Sequence, residues 1–176
     1  MNFGETLDRV GTVLAAGSWQ WAVAGGVALS AYGNPRMTLD LDVVTEAAAQ
    51  DTVVSGLEAA GYVTLYRSTG FSNHRHPDSQ WGRVDFIYVD GGTARQLFAT
   101  LRSLRGPAGR SVLVPRAEHL IAMKVQAMKN APDRALQDLA DVAYLLSLPG
   151  TDSVEARGYF VKAGLSDRWE QLTHGR

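Results

Sequence analysis

The 176-residue sequence contains no cysteine. That excludes disulfides, thiolate zinc sites and cysteine nucleophiles, and gives no sign of an oxidising compartment. Charge of one sign is also missing. Seventeen Lys and Arg against eighteen Asp and Glu leave a formal net charge of -1, so no global basic field draws in nucleic acid. No apolar run approaches the roughly 18 residues of a membrane span. The N-terminus, MNFGETLDRVGTVLAAG, carries acids early and lacks a basic start before an apolar stretch. It is read as having no signal peptide. Internal repeats and low-complexity tracts are absent. What remains is 45% hydrophobic residues, enough to build an ordinary core. The expectation is a cytoplasmic chain with no membrane partner.

The elements follow from periodicity. Leu7, Val10, Val13 and Leu14 recur at helical spacing, predicting a helix over residues 4–16. Trp19 to Ala24 reads as a strand ending in the tight turn Gly25-Gly26, and Val27 to Tyr32 as a short helix closed by Gly33. Thr38 to Val44 alternates as a half-buried strand. Thr45 is placed as the N-cap of a helix over 47–60. Tyr62 to Tyr66 is a further strand, Ser68 to Gln80 a polar loop or hairpin, and Arg83 to Val89 (RVDFIYV) another alternating strand. A helix over 93–103, a short strand over 111–114, and helices opening at Pro115, Pro132 and Ser153 complete the chain. The fold class is α/β (α+β): a mixed sheet with flanking helices, then a helical region. The division is expected at 1–112 and 113–176.

The chemistry starts from strand geometry. Side chains two apart share a face, so Asp40 and Asp42 lie together, roughly 6 to 7 Å apart, while Leu39, Leu41 and Val43 turn to the core. Two such carboxylates repel unless a cation lies between them, and they suit hard, oxygen-preferring Mg²⁺, with Mn²⁺ able to take its place. Asp85, a lone acid between Val84 and Phe86, is the expected third member. The turn Gly25-Gly26 lies fourteen and fifteen residues ahead of Asp40. Such a turn lets backbone N–H groups approach phosphate oxygens.

Residues Trp21 to Val44, WAVAGGVALSAYGNPRMTLDLDVV, carry strand, Gly-Gly turn, short helix and D-x-D strand in that order. This layout resembles the DNA polymerase β-like nucleotidyltransferase superfamily. The GG-x-A turn, the YG-x-x-R-x-T segment and the D-x-D strand are similar to the branch of AbiEii-type toxins. PRAEHLIAMKVQAM followed by DRALQDLADVAYLL resembles that branch's helical region.

The resemblance implies NTP as substrate, Mg²⁺ held by Asp40, Asp42 and Asp85, and nucleotide contacts from Gly25, Gly26, Arg36, Thr38 and Lys124. It implies Asp138 as a further acid of the site, Asp141 as a candidate one turn on, and Arg134 pairing with acids or phosphate. The implied reaction moves an NMP to an acceptor hydroxyl on tRNA or a protein, with a cognate antitoxin as partner. Small-molecule (antibiotic) nucleotidyl transfer and a non-catalytic nucleotide-binding module are the alternatives. Two departures stand out. Gly26 occupies a position where many superfamily members have serine, and the chain is short for the toxin branch.

Other polar residues carry less. His74 and His76 are read as solvated loop residues without further zinc ligands. His119 reads as a surface or packing residue. Ser30 and Ser72 have no triad partners. Arg102, Arg105, Arg110 and Arg116 read as a flexible basic loop or as an edge for a nucleic-acid acceptor.

Overall fold

The computed structural model describes residues 1–34 and 37–173. The chain divides into two compact units, the first Met1–Pro115 and the second beginning at Arg116.

The first unit opens with α1 (Phe3–Ala15), whose N-cap Asn2 accepts from the Glu5 backbone N–H. It continues through β1 (Trp21–Val23), α2 (Gly25–Ala31), β2 (Asp40–Glu46), α3 (Gln50–Ala59), β3 (Val63–Arg67), β4 (Phe71–Arg75), β5 (Arg83–Val89), α4 (Gly91–Phe98), β6 (Arg102–Arg105) and β7 (Ser111–Val114). Strands β1 to β5 form a mixed sheet in the order β1-β2-β5-β4-β3. The β2–β5 pair is parallel and the other pairs are antiparallel. A separate hairpin joins β6 to β7. Leu41, Val43, Val84 and Phe86 are fully buried and lie on one face of the sheet. Val10, Leu14, Val53 and Leu57 of α1 and α3 are buried as well. Burying such side chains is the main term stabilising the unit.

The same face carries a polar row that starts from buried Tyr88, Ser72 and His74 and reaches the surface at Glu58. Tyr88 Oη lies 2.8 Å from Ser72 Oγ, which lies 2.7 Å from His74 Nε2. His74 Nδ1 is 3.1 Å from Thr64 Oγ1, which donates to Glu58 Oε1 at 2.7 Å. Every member has a partner, so burial is tolerated. Burial pushes the Tyr88 hydroxyl up to about 12, and lowers His74 despite the opposing pull of Glu58 and Asp85.

The second unit packs α5 (Ala117–Asn130), α6 (Ala135–Ser147), α7 (Ser153–Ala163) and α8 (Ser166–Thr173). Ile121, Val142, Leu145 and Phe160 are fully buried within it. Arg116 bridges Glu118 and Glu155, and Glu118 accepts from the Asp152 backbone N–H at 2.8 Å.

Several expectations change. Ser68 to Gln80 contains β4, and His74 is fully buried rather than solvated, because Ser72 and Thr64 satisfy its ring. The helix placed over 93–103 stops at Phe98, and β6 follows. Thr45 caps no helix. It extends β2, and its Oγ1 donates to the Gln20 carbonyl at 2.8 Å. Leu39 precedes the strand and is 79% exposed, so it is not a core residue. On α6, Leu136 is 78% exposed. Among the described residues no helix is long and apolar enough to cross a membrane.

Candidate active site

The acids meet because β2 and β5 run parallel and in register. Asp42 pairs with Asp85, and Asp40 with Arg83. Partners in register point to the same side, so Asp40, Asp42, Arg83 and Asp85 share the face opposite Leu41 and Phe86. On the far side of β5, Asn73 of β4 pairs with Asp85.

The turn after β1 lies against this face. The Ala24 N–H donates to the Asp42 carbonyl at 2.9 Å, which fixes the start of α2 beside β2. Gly25 has φ +56°, and a Cβ there would lie 1.8 Å from Asp42 Oδ2. A side chain is excluded both by backbone conformation and by the carboxylate. At Gly26 a Cβ would come 2.8 Å from Thr38 Cβ and 2.9 Å from its Oγ1. That hydroxyl donates to Asp40 Oδ1 at 2.7 Å. Thr38, expected among nucleotide contacts, therefore orients a carboxylate in this structure. Arg36 and the side chain of Arg134 lie outside the described residues.

Asp85 is held differently. Arg83 Nε donates to its Oδ1 at 2.9 Å and Arg83 Nη2 to its Oδ2 at 2.7 Å, a bidentate pair. Asn73 Nδ2 donates to Oδ1 as well. The Asp85 side chain is 7% exposed and that of Arg83 47%. The Asp85 hydrogen bond raises the Arg83 pKa first, and the charges of Asp85, Asp40 and Asp42 add to it against the opposing desolvation.

Mg²⁺ usually takes one or two carboxylates, completing its shell with water and substrate phosphate. Asp40 and Asp42 fit that requirement in chemistry and facing. Among the described residues no group of three or more His, Asp and Glu side chains converges to hold a metal ion. Asp40, Asp42 and Asp85 share one face, and the Asp85 carboxylate accepts from Arg83 and Asn73.

Lys124 and Asp138 belong to the second unit. Lys124 Nζ lies 2.8 Å from Asp138 Oδ1 and 2.7 Å from Asp141 Oδ2, and all three side chains are largely buried. The arginines of the expected basic edge are dispersed. Arg110 pairs with Asp8 at 2.5 Å, while Arg116 is bound to Glu118 and Glu155. A cavity of about 560 Å³, lined by Leu7, Gly11, Trp21, Val23 and Val112, is separate from the acids. Its Trp21 and Val23 pair with Thr45 and Val43, on the face opposite Asp42.

Sequence reasoning missed Arg83 and Asn73. Arg83 had a readable signal, since it stands two residues before Asp85 on the same strand. Asn73 had none, because its strand was not recognised.

Residues 10–171 match the family described as nucleotidyl transferase AbiEii toxin, type IV toxin–antitoxin system. No individually curated protein matches the chain. Among solved structures, the antibiotic-resistance factor ANT(2'')-Ia aligns with TM-score 0.64 at 13% identity, covering 99% of this chain and 98% of that one. The lincosamide antibiotic adenylyltransferase LnuA, with lincomycin bound, aligns with TM-score 0.53 at 14% identity over 81% of this chain and 96% of its own. An antigenic nucleotidyltransferase-like protein from Paracoccidioides brasiliensis aligns with TM-score 0.53 at 17% identity over 98% and 94%. These likenesses establish a nucleotidyltransferase fold.

Proposed function

We propose that this chain, which belongs to the AbiEii family of nucleotidyl transferase toxins, transfers an NMP from an NTP to a hydroxyl of a cellular macromolecule, tRNA or protein. Nucleotidyl transfer itself comes with the family. The finer reading rests on one observation: Gly25 is backed onto the Asp42 carboxylate, with Asp40 and Asp85 on the same face.

In this reading the first N–H groups of α2, at Gly25 and Gly26, lack intrahelical acceptors and bind the β- and γ-phosphates. Asp40 and Asp42 would hold Mg²⁺ or Mn²⁺, which when bound would supply positive charge to the triphosphate. Arg36 adds a phosphate counter-charge. The acceptor hydroxyl oxygen attacks the α-phosphorus. Its new P–O bond forms as the bond to the β-phosphate bridging oxygen breaks, and pyrophosphate leaves. The hydroxyl proton passes to Asp85. Oδ1 of Asp85 accepts from both Arg83 and Asn73, but Oδ2 accepts one bond from Arg83 and keeps a lone pair for that proton.

Lys124 enters this scheme as a brace. Its ammonium already donates to Asp138 and Asp141, which fixes its place in the second unit, and one of its three N–H groups remains for a phosphate. The family's toxin description supports a macromolecular acceptor and a cognate antitoxin. The likeness to ANT(2'')-Ia and LnuA supports the fold alone.

The test is pyrophosphate release from each of the four NTPs with Mg²⁺, in the presence of total tRNA, total protein or an aminoglycoside. Release and label transfer with tRNA or protein are expected. An Asp40→Asn/Asp42→Asn double variant should lose transfer while keeping its far-UV spectrum. Retained activity in that variant would overturn the assignment, and transfer only to the aminoglycoside would replace the macromolecular acceptor.

A further inference from the structure

Three carboxylates on adjoining positions of two strands need positive charge. Asp40 and Asp42 lie along β2, and Asp85 lies beside Asp42 on β5. A second divalent ion at Asp85 would need carboxylate oxygens available to ligate it. Here both are already engaged. Both receive the Arg83 fork, at 2.9 and 2.7 Å, and Oδ1 also takes the Asn73 amide.

Arg83 also lies opposite Asp40 in the ladder. The charges of all three acids, Asp85, Asp40 and Asp42, act on it. A guanidinium is permanently charged, planar and matched in shape to a carboxylate. It can supply there the fixed positive charge that a second ion would bring. To ligate Asp85, an ion would have to displace a bidentate, charge-assisted pair and an amide donor together.

We propose that the carboxylate face takes a single divalent cation, at Asp40 and Asp42, and that Arg83 is a positioning residue standing at Asp85 in place of a second. This inference rests on the metal role given above to Asp40 and Asp42. It adds that Asp85 is not a metal ligand while Arg83 is present.

The experiment counts ions on the intact protein. Mn²⁺ is titrated up to millimolar concentration, and free Mn²⁺ is read from its electron paramagnetic resonance signal. The wild type is expected to bind one ion. Asp85→Asn should still bind one, whereas Asp42→Asn should weaken binding at least tenfold. Arg83→Met, which removes both Arg83 bonds and leaves only Asn73 on Asp85 Oδ1, should bind two. Two ions on the wild type would overturn the proposal and leave nucleotidyl transfer standing. Loss of the ion in Asp85→Asn, or an unchanged count of one in a folded Arg83→Met, would also overturn it. Binding of no ion to the wild type would overturn the Asp40–Asp42 cation site as well, a result that pyrophosphate release assays separate from loss of the enzyme's activity. Should Arg83→Met fail to fold, the wild-type and Asp85→Asn counts decide.

Discussion

Gly25 and Asp42 occupy one another's space: the carboxylate oxygen Oδ2 stands 1.8 Å from where a Cβ on the glycine would be. At φ +56° the same residue holds a conformation that side chains disfavour by about 1–2 kcal/mol. Gly25→Ala should therefore push Asp42 aside. A displacement near 1 Å in a site that works by positioning costs on the order of 10²-fold in rate. The check is kcat for pyrophosphate release alongside the melting temperature. A folded Gly25→Ala protein with wild-type kcat would refute this account of the turn.

Gly26 acts on Asp40 at one remove. Its missing Cβ leaves room for Thr38, whose hydroxyl holds Asp40 Oδ1 at 2.7 Å. Gly26→Ala and Thr38→Ala should each lower kcat, by roughly fivefold if one hydrogen bond of about 1 kcal/mol positions the carboxylate. Because both act through the same side chain, the double variant should lose little more than the worse single one. Full additivity in the double-mutant cycle would show that they act independently.

The second unit holds one buried cation between two buried acids, Asp138 and Asp141. Removing the cation takes a charge partner from both acids. Lys124→Met is expected to destabilise the protein by about 3–5 kcal/mol, as when a buried pair loses one partner. Asp138→Asn leaves Lys124 with Asp141 and should cost only about 1–2 kcal/mol. Urea unfolding midpoints decide the order. Equal losses would argue against the brace. Lost activity in a Lys124 variant becomes evidence for a phosphate contact only after this stability comparison.

Acid should loosen the fold through its buried histidines. Burial lowers His74 below 6.5, and lowers His119 likewise with help from the Arg116 charge. The unfolded chain then binds protons that the native chain refuses. The stability contribution of a neutral imidazole is complete above the unfolded value, near 6.5, and is lost as pH falls below it. Each such group gives a slope approaching about 1.4 kcal/mol per pH unit. Wild-type stability should fall between pH 7.5 and 5.5, and His74→Gln should fall less steeply from a lower start. Parallel slopes would remove His74 from the explanation.

Legibility varied with what the alternating pattern reports. β5 was readable across its length, because Val84, Phe86 and Tyr88 alternate with Asp85 and Ile87, and one face is apolar. The Gly-Gly turn and β2 were readable for similar reasons. β4 was not. Its sequence FSNHR buries Ser72, Asn73 and His74, and the partners that make this tolerable come from β3 and β5. Polarity there signals a network rather than solvent, and a network is invisible along one segment. β6 was missed because RSLR is mostly exposed and stabilised by its pairing with β7. The D-x-D facing was legible, but the direction of the Asp85 oxygens was not, since it depends on a fork two residues away and an amide on another strand.

The row from Tyr88 to Glu58 has one further property. A carboxylate can only accept, so the Thr64 hydroxyl spends its one proton on Glu58. Thr64 Oγ1 must then receive from His74, which places the ring proton on Nδ1. Nε2 is left bare and takes the Ser72 proton, and Ser72 in turn takes that of Tyr88. A single acid on α3 therefore sets the polarity of four successive hydrogen bonds across three strands, and with it the tautomer of an imidazole that solvent never reaches.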